Sequence, residues 1–397
     1  MLYEKAPTTT LLNGASSYLL DENYSGSMKY RTSAVALDGR IFAIPLHAPK
    51  VLVIDPLRNV SHHLSESYSG DFKYSTSAVA RDGRIFAAPQ DASEVLVIDP
   101  SRNISYLLSE GYGSGSAKHV TCAVAPDGRV FAAPCSSASK VLVIDPLRNI
   151  SYQLSEDYGS GFNKHWTSAV APDGRIFAAP FFASKVLVID PSRNVSYQLS
   201  EDYGSGTRKY ATSVVASDGR IFAAPYSALK VLVINPLQNV SYQLSESYSG
   251  SGKYYTSAVT SDGRIFAVPR DASKVLVIDP LRNESYQLSE DHGSGTYKYV
   301  TSVVAPDGRI FAAPHAASKV LMIDPLLNIS YQLSEGYGSG TDKYWTSAVA
   351  PDGRVFAAPY DALEVLVVYP GSYRYKTPSP TITFTPTQVS TGIYDSP

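Results

Sequence analysis

Between Trp166 and Leu199 the chain lays down four short apolar runs, each cut off by a cluster of turn residues. Trp166 to Ala171 ends at Pro172-Asp173-Gly174, where Pro presets φ and Gly supplies the positive φ of a tight turn. Arg175 to Ala179 is apolar on both sides and stops at Pro180. Lys185 to Ile189 carries an unbroken Val-Leu-Val-Ile, the mark of a strand buried on both faces. It stops at Asp190-Pro191, because Pro cannot donate to a ladder. The fourth run alternates Val195, Tyr197 and Leu199 with Ser196 and Gln198, the period-2 pattern of a half-exposed outer strand with its serine facing outward. No window places apolar residues at i, i+3, i+4 and i+7 over a useful length, so helix is excluded.

This four-run unit recurs eight times. Its Asp-Gly-Arg turn begins at Asp38, Asp82, Asp127, Asp173, Asp218, Asp262, Asp307 and Asp352, at intervals of 44 to 46 residues. A unit of that length with four strands cannot bury its own faces and must stack on its neighbours. The fold class predicted is all-β, an eight-bladed β-propeller of four-stranded antiparallel blades. Ser16 to Glu22 (SSYLLDE) matches the fourth run, whereas the eighth repeat, Trp345 to Val368, has only the first three. The N-terminal strand is therefore expected to complete the last blade and close the ring, which removes free sheet edges. The organisation read from this is an N-terminal extension at 1–14, the propeller at 15–370, and a Thr/Ser/Pro-rich tail or linker at 371–397.

Charge is balanced, with 34 basic and 36 acidic residues, so nothing draws the chain to nucleic acid or membrane. No stretch reaches the roughly 20 apolar residues of a membrane helix. The N-terminus lacks the layout of a signal peptide, so an intracellular, cytoplasmic location is expected. Cys122 stands where other repeats have Ser, and Cys135 lies in a variable loop; they form neither a disulfide framework nor a zinc site. Eight sequons occur, at Asn23, Asn59, Asn103, Asn149, Asn194, Asn239, Asn283 and Asn328. Seven fall in the turn between the third and fourth runs, where Asn tolerates a left-handed backbone, so turn chemistry accounts for them without glycans.

The stretch VLVIDPLRNISYQL (Val141 to Leu154) and its copies resemble the YVTN-type propeller repeat, which joins a V-x-V-I-D strand to an Asn-bearing turn. The tetrapeptide naming that family is absent, as are the WD dipeptide of WD40 repeats and the Gly-Gly of kelch repeats. The resemblance spans about residues 15 to 370 and implies a scaffold that is more often a binder than an enzyme.

Two turns are nearly invariant among the copies, Asp-Gly-Arg and Asp-Pro-x-x-Asn, and both lie at one end of the strands. Variation gathers at the other end, where the four-to-one and two-to-three connections meet. There the first strands open with Arg31, Ser75, Val120, Trp166, Ala211, Tyr255, Val300 and Trp345. The loops after the second strands add Phe181, Phe182, Tyr226, Arg270, His315 and Tyr360. Exposed aromatics and Arg anchor interfaces, so a partner-binding face is expected at Arg31, Trp166, Tyr255, Trp345, Phe181, Phe182, Tyr226, Arg270, His315 and Tyr360. Trp166 and Trp345, four blades apart, fall on opposite sides of the ring. A lysine precedes every first strand: Lys29, Lys73, Lys118, Lys164, Lys209, Lys253, Lys298 and Lys343. Such a ring can hold an anion, or each lysine can pair with a carboxylate of its own connection, such as Glu156 or Asp157. Residues that break the symmetry are His47, His62, His63, His292 and His315, with Asp91, Asp271 and Asp361. They form no catalytic motif.

The function read from the sequence is a monomeric, cofactor-free scaffold for a protein partner. The alternatives are a multivalent glycan binder with pockets between blades, and a propeller hydrolase or lyase with a metal in its channel.

Overall fold

The computed structural model describes residues 14–371. Apart from Gly14 and Gly371, the expected N-terminal extension and tail lie outside the described residues. Among the described residues there are eight four-stranded antiparallel sheets and no helix. Seven sheets use four consecutive strands, and the eighth joins Ser16–Leu19 to Leu366–Tyr369, Val355–Pro359 and Tyr344–Val349. The closing ladder runs from Ser16 opposite Tyr369 to Leu19 opposite Leu366. The eight-bladed propeller closed by its N-terminal strand is the fold, in the compact unit Ala15–Pro370. No helix here is long and apolar enough to cross a membrane.

The hydrophobic core lies between blades, because each sheet is apolar on both faces. Phe177, Val186, Val188 and Leu199 of the fourth blade pack on Tyr210, Ile221, Leu232 and Ile234 of the fifth. Equivalent clusters fill every blade interface, including the seam, where Leu20, Phe356 and Val367 meet Tyr30, Ile41 and Leu52. Each blade thus buries its faces only because two neighbours are present.

The fourth strands correct one expectation. Their serines face inward: Ser196 is buried and Tyr197 half-buried. The reason is a hydrogen bond from the preceding blade, in which Tyr158 Oη donates to Ser196 Oγ at 2.8 Å. The same bond recurs around the ring and crosses the seam as Tyr337 Oη to Ser17 Oγ, 2.6 Å, and Tyr24 Oη to Ser61 Oγ, 2.8 Å. His292 takes the tyrosine's place once and reaches Ser330 Oγ at 2.8 Å.

The invariant turns latch blade to blade. Arg129 holds its own turn through Asp127 (Nε to Oδ2, 2.9 Å) and reaches the next blade through Asn194 Oδ1 at 2.8 Å and the Pro191 carbonyl at 2.6 Å. Its guanidinium also lies over Phe131, 5.0 Å from the ring centroid. The seven turn asparagines sit at φ between 55° and 58°, as the left-handed turn requires. At the seam Arg354 reaches Asn59 Oδ1 and Tyr18 Oη, both at 2.8 Å. A double-mutant cycle of Arg129→Ala with Asn194→Gly, which preserves the left-handed backbone, is expected to give a coupling of about 1 kcal/mol in urea unfolding. Additive effects would show that the latch carries no stability.

Candidate binding face at the channel mouth

The innermost strands carry a Thr and a Ser that line the channel. Their hydroxyls pair across each blade boundary, as in Thr121 Oγ1 with Ser168 Oγ at 2.8 Å and Thr301 Oγ1 with Ser347 Oγ at 2.7 Å. The series is complete around the ring and closes at Thr346 with Ser33, 2.8 Å. Cys122 substitutes for one Ser and sits 3.2 Å from Thr76 Oγ1, with burial pushing its thiol up to about 11. Among the described residues no three His, Cys, Asp or Glu side chains gather as a metal site.

Above this collar, four first strands differ from the rest. In the first, fourth, sixth and eighth blades they run six residues, as Tyr30–Val35, His165–Val170, Tyr254–Val259 and Tyr344–Val349. The others run two or three residues. The long strands each carry a register shift around the second position, which is Arg31, Trp166, Tyr255 and Trp345 respectively. A bulge re-aims the extra side chain. Here the four bulged side chains meet. The Arg31 guanidinium lies 5.2 Å from the Trp166 ring centroid and 4.7 Å from that of Trp345. Tyr255 Oη receives hydrogen bonds from Arg31 Nη2 at 3.1 Å and Trp166 Nε1 at 2.8 Å. Trp166 and Trp345 are opposite in blade order, yet both stack on one residue at the mouth of the channel.

The loops after the second strands extend this cluster outward. Phe181 packs on Trp166 at 4.9 Å, on Phe182 at 5.4 Å and on Tyr226 at 5.8 Å. Tyr360 and His315 pack on Trp345 at 5.0 and 4.9 Å. Arg270 lies against Tyr226 and against Tyr297, 3.3 Å from the latter's ring centroid, and pairs with Asp271 at 2.7 Å. His315 is fully buried, with Nε2 3.2 Å from Asp342 Oδ1, and burial holds its pKa well below the usual imidazole value. All ten expected binding residues therefore form one continuous cluster. It is less exposed than the sequence implied: both tryptophans are half-buried, and Phe181, Tyr226 and Tyr360 are buried. Tyr297 and Asp342 were not foreseen. They stand just before Lys298 and Lys343 at a variable position whose positive φ, 54° and 60°, leaves no trace in a hydropathy pattern.

The second and third blades present small side chains instead: Ser75, Val120, Cys135 and Ser136. Ser75 Oγ and Gln90 Oε1 are buried there without a hydrogen-bond partner.

The lysine ring is buried in the structure. Each ammonium donates to backbone carbonyls of the preceding glycine loop, and none forms an ion pair with Glu156 or Asp157. Lys73 Nζ reaches the Gly70 carbonyl at 2.6 Å, and Lys118 those of Gly115 and Gly113 at 2.6 and 3.1 Å. Burial lowers the pKa of Lys73 and Lys253 to about 8. The symmetry-breaking carboxylates also have structural work. Asp361, Asp91 and Asp271 accept the backbone N–H of Met28, Ala117 and Tyr297 in the following blade, at 2.6 to 2.7 Å. His63 Nε2 meets Tyr30 Oη at 2.9 Å, the contact that Gln243 makes to Tyr210 elsewhere. The opposite face has clefts between adjacent turns, one lined by Asp127, Asp173, Arg175 and Arg193, but Asp127, Asp173 and Arg175 are spent on turn and latch bonds.

No family model matches the chain, and no curated protein matches it by sequence. Solved structures match by fold. A streptogramin B lyase aligns at TM-score 0.58 with 11% identity, over 90% of this chain and 98% of its own. A catalytically inactive virginiamycin B lyase from Staphylococcus aureus, with quinupristin, aligns at 0.57 with 12% identity, over 75% of this chain and 94% of its own. Kuenenia stuttgartiensis hydrazine synthase aligns at 0.52 with 14% identity, over 88% of this chain and 98% of its own. At such identities the likeness is one of β-propeller fold alone.

Proposed function

We propose that the chain is a non-enzymatic, monomeric interaction platform that holds a partner protein across the loop-face mouth of its channel. The observation that supports this is the convergence of ten variable side chains, rich in Trp, Tyr and Arg, into one cluster on a ring otherwise fixed by repeated latches. Those residue types dominate the centres of protein interfaces. The likeness to YVTN-type repeats adds to the reading, and so does the structural employment of Asp91, Asp271 and Asp361, each of which accepts a backbone N–H of the following blade. A multivalent glycan binder would place its aromatics in equivalent pockets between blades, whereas the two tryptophans share one mouth. The seven turn asparagines accept from arginines and the serines of those seven sequons are buried, so turn chemistry accounts for them without glycans and the reading sets the chain inside the cell.

Photo-crosslinking tests the choice of face. A benzophenone side chain at Phe182, on the loop face, is expected to form a discrete protein adduct in extracts of the native cell. The same group at Leu147, which is 89% exposed in an opposite turn, is expected to form none. Adducts from Leu147 alone would assign the function to the other face.

A further inference from the structure

The mouth carries an unspent charge. Arg31 is half-buried, donates one hydrogen bond, to Tyr255 Oη, and pairs with no carboxylate among the described residues. The other arginine of the cluster, Arg270, is neutralised by Asp271 at 2.7 Å. The arginines of the invariant turns are spent on their own aspartates. A guanidinium presents five N–H donors in a planar fork that fits a carboxylate in bidentate fashion. Cation–π contact with Trp166 and Trp345, at 5.2 and 4.7 Å, together with the bond to Tyr255, restrains that fork, so less side-chain entropy remains to be lost on binding.

The neighbouring blade supplies a second observation. Ser75 occupies in the second blade the position that Arg31 has in the first, and the two strands touch through Thr32 and Ser77 at 3.2 Å. Gln90 holds in that blade the loop position that Tyr360 has in the eighth, where Tyr360 packs on the first-strand Trp345. Gln90 is only 6% exposed, and its Oε1, like Ser75 Oγ, is buried with no partner. A buried unpaired acceptor is costly and calls for a donor. At the first-strand position the second and third blades carry the smaller Ser75 and Val120 where the fourth and eighth blades have Trp.

We infer that the mouth is a carboxylate-reading subsite for an acidic peptide segment, with Arg31 taking an Asp or Glu carboxylate and Gln90 Oε1 and Ser75 Oγ taking the adjoining peptide N–H. This rests on the protein-partner reading and names what the partner presents. A sugar acid shares the carboxylate but is disfavoured. Each indole already has a guanidinium over it and a second aromatic ring against it, so the guanidinium edge rather than a free ring is on offer.

The chain has two tryptophans, and both flank Arg31, so intrinsic fluorescence reports on this site directly. The full chain is titrated with an acetylated, amidated penta-glutamate peptide, with its penta-glutamine counterpart, and with tetra-galacturonate. A saturable change with the glutamate peptide alone is expected. Arg31→Gln should weaken it at least tenfold, and Gln90→Ala severalfold with Arg31 intact. Circular dichroism melts confirm that each variant is folded, and the Gln90 variant keeps the test decisive if Arg31→Gln does not fold. Equal responses to the glutamine peptide, a response to galacturonate only, or no response would each overturn the inference. If the peptide fails while the adduct at Phe182 persists, the carboxylate assignment falls and the partner-binding face stands. If both fail, both fall.

Discussion

Deleting residues 1–24 is expected to lower the melting temperature by more than about 6 °C and to make the protein self-associate. Ser16–Leu19 is the outer strand of the last blade, and without it Leu366–Tyr369 becomes an open edge. Leu20 and Tyr24 leave the seam cluster, where they are 3% and 8% exposed beside Phe356 and Val367. The bonds from Tyr337 to Ser17 and from Arg354 to Tyr18 go with them. Removing one large buried side chain costs about 2–5 kcal/mol, so two of them and a ladder exceed about 5 kcal/mol together. At the roughly 1.3 °C per kcal/mol that the unfolding entropy of a unit this long implies, the shift follows. An exposed strand edge is also a template for pairing with another copy. Circular dichroism melts and sedimentation velocity check both effects, with a chain lacking only residues 1–13 as comparison. A 1–24 deletion that melts like the full chain would refute the shared blade.

Much of this architecture was legible because propeller chemistry is local and repeated. The turn at Pro172-Asp173-Gly174, the apolar run before Asp190-Pro191 and the orphan strand before Glu22 each announce themselves in a few residues. The convergence of the variable positions was legible for the same reason, since strand direction fixes which loops share a face. What the sequence hid was whatever depends on a neighbouring blade. Ser196 looks like a solvent-facing serine until Tyr158 is seen to reach it from the blade before. Lys118 looks like a surface charge until the glycine loop folds its carbonyls over the ammonium. Asp361 reads as a candidate acid, yet it accepts the N–H of Met28 across the seam. The bulges that carry Arg31 and Trp345 to the axis were equally silent, because a one-residue register shift leaves the apolar pattern unchanged.

The second large effect concerns binding. Trp345 contacts Arg31, Tyr255, His315 and Tyr360 at once, the setting in which truncation of an interface residue costs most. Trp345→Ala is expected to weaken the partner captured at Phe182 by about thirtyfold, about 2 kcal/mol. The fold should survive, because Ala211 and Ser75 stand at the same position in the fifth and second blades, where the first strand is merely shorter. Some stability is lost with the half-buried indole, so the melt is recorded alongside. Arg193→Ala is the control: it is highly exposed in an opposite turn and only 3.7 Å from Asp190, a surface pair of little energetic consequence.

The central claim, that the aromatic and arginine mouth of the loop face is where this propeller binds, is tested most directly by the affinity of that captured partner for the two variants side by side. The account predicts a loss of about thirtyfold for Trp345→Ala and less than about twofold for Arg193→Ala. Equal losses from both, or a loss from Arg193→Ala alone, would contradict it.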